Sequence, residues 1–235
     1  MYEGMLLNGS MLLIGAAACF SVFVKVTLEK RTMNDKMPIM LCWLWATALL
    51  AAMGARQFFA YAGAMKIDEA LFLIGTPFYG YSAVPLAYLS VYIMSGRKWA
   101  GISFAASIAI IVSIILFFAY AYGVTHRMNE WGSEYTFNSP IVGILAAVGN
   151  ALALTSSVML MLASRKCEEK PVKRRLAMVG FACLVFYIAI AVDVLILEGA
   201  ARMVTRSLIL FSALTIYAAY NPSKRALEKI GMAKN

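Results

Sequence analysis

The 235-residue chain has one histidine, His126, and few cysteines. One histidine is too few for a haem with two axial histidine ligands, and a catalytic zinc site commonly needs two or three histidines. None of the four cysteines forms a C-x-x-C pair, which argues against a metal knuckle or a redox motif. They are Cys19, Cys42, Cys167 and Cys183. We therefore expect no metal and no cofactor.

Charge is also scarce, because charged residues make up only 14% of the chain while 62% is hydrophobic. Soluble domains have about 45–50% apolar and about 25% charged residues. This composition nearly excludes a soluble domain and indicates that lipid surrounds most of the chain. The net charge of +9 would suggest nucleic acid in a soluble protein. Here the preference of membrane proteins for basic cytoplasmic loops is the simpler cause, so we expect no nucleic-acid partner.

Seven stretches are long and apolar enough to cross the hydrocarbon core, which takes about 20 helical residues. They cover roughly residues 5–28, 37–60, 70–94, 99–122, 139–163, 177–197 and 202–221. Backbone groups in lipid must be satisfied internally, so each stretch is predicted to be a helix. The sequence thus predicts an all-α integral membrane protein, with residues 1–235 forming a single bundle of seven transmembrane helices.

The lysines and arginines predict the orientation of this bundle. With the N-terminus outside, 16 of the 21 basic residues lie on the inner side. The outer side receives Arg56, Lys66, Arg127, Arg202 and Arg206. This asymmetry predicts an N-out, C-in protein of the cell membrane. The loops are short, so we expect no soluble catalytic domain and no enzymatic activity.

An acidic residue, Asp193, lies within the sixth predicted span, in the run FYIAIAVDVLILEG. A carboxylate at membrane depth indicates a functional site by default. A tight turn at 198–201 would place Asp193 opposite Arg206, about 10 Å below the outer boundary at 1.5 Å per residue. Three interpretations stay open: a structural ion pair, a pair that responds to a ligand or proton, and two separate snorkelling side chains.

Aromatic residues form a stripe along the third span at spacings of three and four, which places them on one helix face. They are Phe78, Tyr81, Tyr88 and Tyr92, with Pro85 among them and Tyr79 beside them. The stripe either packs against other helices or lines a cavity. The candidate ligand-binding residues are therefore Asp193, Arg206, Tyr81, Tyr88 and Tyr79. On the fifth span, Asn150 and Ser157 could form hydrogen bonds across the bundle.

Two loops carry the remaining polar residues of interest. The inner loop before the sixth span is strongly basic and is a candidate docking surface for a protein partner. Its residues are Arg165, Lys166, Lys173, Arg174 and Arg175. The outer loop YGVTHRMNEWGSEYTFNSP contains Trp131 and Tyr135, which suit an interfacial belt, and His126, either a solvated side chain or a pH sensor.

The run FYGYSAVPLAYLSVYIMSGRK, with its mid-span proline and closing Y-x-x-x-G, resembles the seven-helix sensory region at the N-terminus of some histidine kinases. The resemblance continues in VTHRMNEW and in the basic loop before the sixth span. It covers most of residues 60–220. It implies a receptor-like module that binds a small ligand or senses the membrane and signals through a separate partner.

The chain is also similar in length and topology to SWEET-type sugar facilitators, and SRKCEEKP resembles their inner loop. That likeness implies two three-helix repeats, here 5–94 and 139–220, joined by a fourth helix. Three functions stay open: a sensory module, a small-solute transporter, and an accessory subunit of a membrane complex. A sensor should have an outer pocket, a transporter a central cavity, and an accessory subunit neither. The sequence leaves the oligomeric state open.

Overall fold

The computed structural model describes residues 3–29, 33–195 and 201–221. Within these ranges the chain forms seven helices and one β-hairpin. The elements are α1 (Glu3–Leu28), α2 (Met33–Tyr61), α3 (Met65–Ser95), α4 (Lys98–Tyr122), β1 (Val124–Asn129), β2 (Gly132–Phe137), α5 (Pro140–Arg165), α6 (Lys170–Leu195) and α7 (Ala201–Tyr220).

The described helices confirm the prediction of a helical membrane bundle. Six of them, α1 to α4 with α6 and α7, are long and apolar enough to cross a bilayer. Large apolar side chains are exposed on their outward faces, among them Ile110 at 62%, Phe117 at 69% and Val204 at 62%. Soluble proteins rarely expose so much apolar surface, so these faces suit contact with lipid.

Six of the helices form a ring in chain order, and α4 lies outside it. Each of α1, α2 and α3 packs against the next, α3 packs against α5, α5 against α6, α6 against α7, and α7 returns to α1. Helix α4 packs chiefly on α3. Buried apolar residues such as Val22, Leu86 and Ile216 fill the centre of the ring.

The basic segment before the sixth span differs from the prediction, because α6 begins at Lys170 and not near residue 177. Pro171 is compatible with this, since a proline in the first turn removes no helical hydrogen bond. Lys173, Arg174 and Arg175 therefore lie on a helix, and Arg165 is the last residue of α5. Most of the predicted turn at 198–201 lies outside the described residues.

The predicted outer loop contains the β-hairpin, which the sequence analysis did not predict. Gly123 ends α4 with φ of 68°, a conformation that glycine adopts without strain. The strands pair antiparallel from Val124 opposite Phe137 to Asn129 opposite Gly132, leaving a two-residue turn. The Asn129 side-chain oxygen accepts the backbone N–H groups of Trp131 and Gly132, each at 2.9 Å, and so stabilises the turn.

Helix α3 continues through Pro77 and Pro85. Pro77 has no N–H, so the carbonyl of Leu73 loses its helical donor. The hydroxyl of Tyr120 on α4 donates to that carbonyl. In a membrane, such a bond from a neighbouring helix is what allows a proline inside a span.

Replacing Tyr120 with phenylalanine should therefore lower the free energy of unfolding by about 1 kcal/mol, because the Leu73 carbonyl loses its donor. Thermal unfolding in detergent micelles measures the change. Tyr122→Phe is the matched control, since Tyr122 is 54% exposed at the end of the same helix. Equal losses in the two variants would contradict the role assigned to Tyr120.

Candidate functional site

Three ion pairs, two of them buried and one half-buried, lie where the hairpin covers one end of the bundle, here called the hairpin end. They join Arg56 to Asp68, Arg202 to Glu134 and Arg206 to Asp193. We call these six residues the charge cluster. They come from five elements, α2, α3, β2, α6 and α7. The opposite end, where α5 meets α6, is called the basic end.

The Asp193 carboxylate is bound through both of its oxygens. Arg206 Nη2 donates to Oδ2 at 2.7 Å and Thr205 Oγ1 donates to Oδ1 at 2.6 Å. The arrangement of Asp193 opposite Arg206, which the sequence predicted, is confirmed. Arg202 also lies within the electrostatic range of this carboxylate. Asp193 therefore links two arginines of α7 to α6.

A second carboxylate, that of Asp68, is completely buried. Arg56 Nε donates to its Oδ1 at 2.9 Å, and the Ser133 hydroxyl donates to Oδ2. Arg56 Nη2 also donates to the carbonyl oxygen of Ser133 at 2.8 Å. The Arg56 guanidinium lies 5.0 Å from the ring centre of Phe72 and 5.1 Å from that of Tyr135. These rings add cation–π attraction and exclude water from the pair.

The side-chain amide of Gln57 on α2 both donates a hydrogen bond to the backbone of Ser133 in β2 and accepts one from it. The Ser133 N–H donates to Gln57 Oε1 at 3.1 Å, and Gln57 Nε2 donates to the Ser133 carbonyl at 3.4 Å. On the hairpin itself, His126 Nε2 lies 2.9 Å from the Ser133 hydroxyl. Burial, with a further contribution from Asp68, raises the pKa of Tyr135 to about 12. Tyr135 is therefore a neutral phenol that stacks on the Phe72 ring. The sequence had suggested only a position in the interfacial belt.

The tip of the hairpin is fastened to the start of α1. Asn8 Nδ2 donates to the carbonyl of Trp131. A Cβ atom on Gly4 would lie 2.6 Å from the Trp131 ring, so only glycine leaves room for the tip. On β2, Glu134 accepts from Arg202 and, at 3.0 Å, from Asn129 Nδ2. The hairpin is thus held by α1, α2, α3 and α7.

Two of the predicted ligand-binding tyrosines contact the peripheral helix α4. The Tyr81 hydroxyl lies 2.8 Å from Ser113 Oγ. Tyr88 packs on α4 at Gly101, where an added Cβ would come within 3.1 Å of its ring. Both contacts are interhelical packing, the first of the two interpretations that the sequence left open.

Tyr79 faces another helix, because its hydroxyl donates to Asn150 Oδ1 on α5. This bond confirms that Asn150 forms a hydrogen bond across the bundle. The structure therefore brings Asp193 and Arg206 together, whereas the bonds described for Tyr79 and Tyr81 lead to other helices. Ser157 bonds within its own helix, to the Ala153 carbonyl at 2.8 Å.

At the basic end, four of the five predicted docking residues are exposed: Arg165, Lys166, Lys173 and Arg174. Arg175 is different, because it bonds Glu29 at 3.4 Å and its guanidinium lies 4.9 Å from the ring centre of Tyr220. Lys25 Nζ donates to the Tyr220 carbonyl and, at 2.8 Å, to Asn221 Oδ1. We call Lys25, Glu29, Arg175 and Tyr220 the latch, which joins α1, α6 and α7.

Sequence reasoning missed four members of the charge cluster: Arg56, Asp68, Glu134 and Arg202. One signal pointed to them, because four of the five basic residues assigned to the outer side are arginines and only one is a lysine. Arginine is preferred over lysine in buried ion pairs with carboxylates. Among the described residues, no three His, Cys, Asp or Glu side chains form a group suited to a metal ion.

No known family matches the chain, and no curated protein is significantly similar to it.

A double-mutant cycle tests the Asp193–Arg206 pair. Asp193→Asn and Arg206→Gln should each destabilise the protein, because each leaves a mostly buried charge without its partner. The double variant should be more stable than the sum of the single losses predicts, by about 1–2 kcal/mol. Chemical unfolding in mixed micelles gives the three free energies. Strictly additive losses would mean that the two charges do not interact.

Proposed function

We propose that the chain is a non-enzymatic sensory module of the cell membrane, which signals through a separate protein partner. In this proposal all seven helices cross the bilayer, the hairpin end faces outside and the basic end faces the cytoplasm. The distribution of basic residues supports that orientation. The observation that carries the proposal is the attachment of an extramembrane hairpin to the helices through the buried Glu134–Arg202 ion pair and the hydrogen bonds of Ser133 to Arg56 and Asp68.

Such an attachment favours a two-state change in the position of the hairpin over a gradual one. Removing one partner from a buried ion pair costs several kcal/mol, so the hairpin is either seated or released, with little in between. An external anion that binds Arg202 in place of Glu134, or a cation that binds Asp68, would favour release. Only a stimulus that distinguishes the two positions can shift their populations.

Two helices connect the charge cluster to the cytoplasmic side. Helix α6 carries Asp193 near one end and Arg175 of the latch near the other. Helix α7 carries Arg202 near one end and Tyr220 of the latch at the other. From Asp193 to Lys173 the distance along α6 is about 30 Å, at 1.5 Å per residue. Movement of α6 and α7 at the hairpin end would therefore reach the latch directly.

The output surface in this proposal consists of the exposed basic side chains at the ends of α5 and α6. Arg165, Lys166, Lys173 and Arg174 are exposed there, and they outnumber the two exposed carboxylates between them, Glu168 and Glu169. Such a surface suits an acidic face on the partner, because complementary potentials speed association and select the partner. Arg175 belongs to the latch and not to this surface.

A small-solute transporter is the second candidate, and the six-helix ring favours it. In that ring α1–α3 and α5–α7 occupy equivalent places, and the two cavities described lie on its axis, where a transporter is expected to have them, and not at the outer end, where a sensor is. Uptake of labelled solutes into proteoliposomes tests this candidate. Uptake that persists when the hairpin is released would favour transport over sensing.

Cys167 offers a native probe for the sensory proposal, because it is half-exposed at the basic end while the other three cysteines are buried. Glu134→Gln should release the hairpin and change the rate of maleimide modification of Cys167 by about fivefold or more, the low end of allosteric coupling. Glu130→Gln, the same substitution at an exposed position of the hairpin, should leave the rate unchanged. The rates are measured in proteoliposomes below the unfolding temperature.

The same reagent tests the orientation. A membrane-impermeant maleimide should leave Cys167 unmodified in intact cells and should modify it after permeabilisation. Modification in intact cells would contradict the cytoplasmic placement of the basic end. Equal Cys167 rates in the wild type, Glu134→Gln and Glu130→Gln would contradict coupling between the two ends.

A further inference from the structure

Two neighbouring cavities lie on the axis of the bundle, towards the basic end. The smaller has a volume of about 30 Å³ and the larger about 100 Å³. Cys42, Trp43, Leu86 and Cys183 line both, so a small side-chain movement would join them. All six helices of the ring contribute to the wall of the larger cavity.

The larger cavity has an apolar body and one polar end. Aliphatic side chains such as Leu89, Leu160 and Val179 form the body. Arg175, Glu29 and Tyr220 of the latch form the polar end. Small-molecule sites in proteins have this composition, an apolar wall with a few polar groups that fix the orientation of the ligand.

Trp43 lines both cavities and has an unused donor. Its side chain is 3% exposed, and its indole N–H has no hydrogen-bond acceptor. The Tyr220 ring meets it edge-on with centroids 6.2 Å apart, and the Tyr220 hydroxyl lies close enough to the N–H to interact with it electrostatically. A buried donor without an acceptor is destabilising, and an acceptor on a ligand would remove that cost.

The donors at the polar end favour an anionic acceptor. Arg175 and Glu29 line this end, and Lys25 binds the Tyr220 carbonyl without lining the cavity. The Arg175–Glu29 bond, at 3.4 Å, is longer than an optimal charge-assisted bond, so a competing carboxylate could displace it. Trp43 and Arg175 both contact the Tyr220 ring, and their donors therefore lie at the same end of the cavity.

We propose that this central cavity binds a small carboxylate whose apolar body is about the size of one aromatic ring. A cavity of about 150 Å³ binds benzene, and the two cavities together approach that volume, so one ring fills them and the carboxylate takes the place of Glu29 beside Arg175. The carboxylate lies at Arg175 and Trp43, and the ring lies among the aliphatic side chains. This site is independent of the proposed sensory function, because a sensor and a carrier could each use it.

Isothermal titration of the purified 235-residue chain with benzoate tests the site. Leu160→Phe fills the cavity and should weaken benzoate binding about tenfold or more, since a ring no longer fits. Leu162→Phe is the matched control, because Leu162 lies on the same helix but is exposed, and it should bind like the wild type. If Leu160→Phe does not fold, Val179→Leu fills the cavity from α6 in its place.

A second comparison tests the carboxylate. Arg175→Met should weaken benzoate about tenfold, because a charge-assisted hydrogen bond is lost, and should leave benzyl alcohol unchanged. Equal affinity of the wild type for benzoate and benzyl alcohol would overturn the assignment of an anion. No binding at about 10 mM benzoate, or equal binding by Leu160→Phe and Leu162→Phe, would overturn the site. These titrations use no partner and no membrane, so their failure leaves the Cys167 experiment unaffected.

Discussion

The mutual neutralisation of six charges at the hairpin end is the interaction on which the rest of the structure depends. Three arginines and three carboxylates lie in a setting of low dielectric, where an unpaired charge is very costly. The hairpin takes part through two residues of β2: Glu134 pairs with Arg202, and Ser133 bonds both Asp68 and Arg56. The Arg56–Asp68 and Arg206–Asp193 pairs join helices directly, whereas Arg202 reaches the carboxylate of Glu134 only when the hairpin is in place. The hairpin is in this sense part of the bundle and not an appended loop.

The position of these charges also organises the two ends of the molecule. Helices α6 and α7 each carry a member of the charge cluster at one end and a member of the latch at the other. Between the two, α6 contributes Cys183 and Val179 to the wall of the larger cavity, and Tyr220 of the latch on α7 also lines it. A ligand in the cavity and an event at the hairpin would thus act on the same two helices. The sensory and transport proposals share this feature and differ in whether solute passes along the axis.

The sequence predicts best those features that depend on near neighbours in the chain. Helices follow from apolar runs, and the Asp193–Arg206 pair follows from the register of two consecutive helices. The Glu134–Arg202 pair joins residues far apart in sequence, so no local pattern could reveal it. Strand β1 was missed because its sequence, VTHRMN, does not alternate apolar and polar residues. Most of its side chains are exposed. The spacing of Tyr81 and Tyr88 predicts that they share one face of α3. It does not predict which helix packs against that face, and the structure shows that this helix is α4. Arg175 was grouped with its exposed basic neighbours because the pattern of charges in a sequence does not show which side chains are buried.

Hydrogen exchange of the β2 backbone, residues 132–137, measures most directly whether the charge cluster holds the hairpin. Asp68→Asn keeps the shape of the side chain and removes the charge that pairs with Arg56. The account predicts that exchange in β2 becomes faster by about tenfold or more, because the unpaired guanidinium favours release of the hairpin. Glu69→Gln, at the adjacent exposed position, should leave exchange unchanged. Unchanged protection of β2 in Asp68→Asn, in a protein that is otherwise folded, would contradict the account.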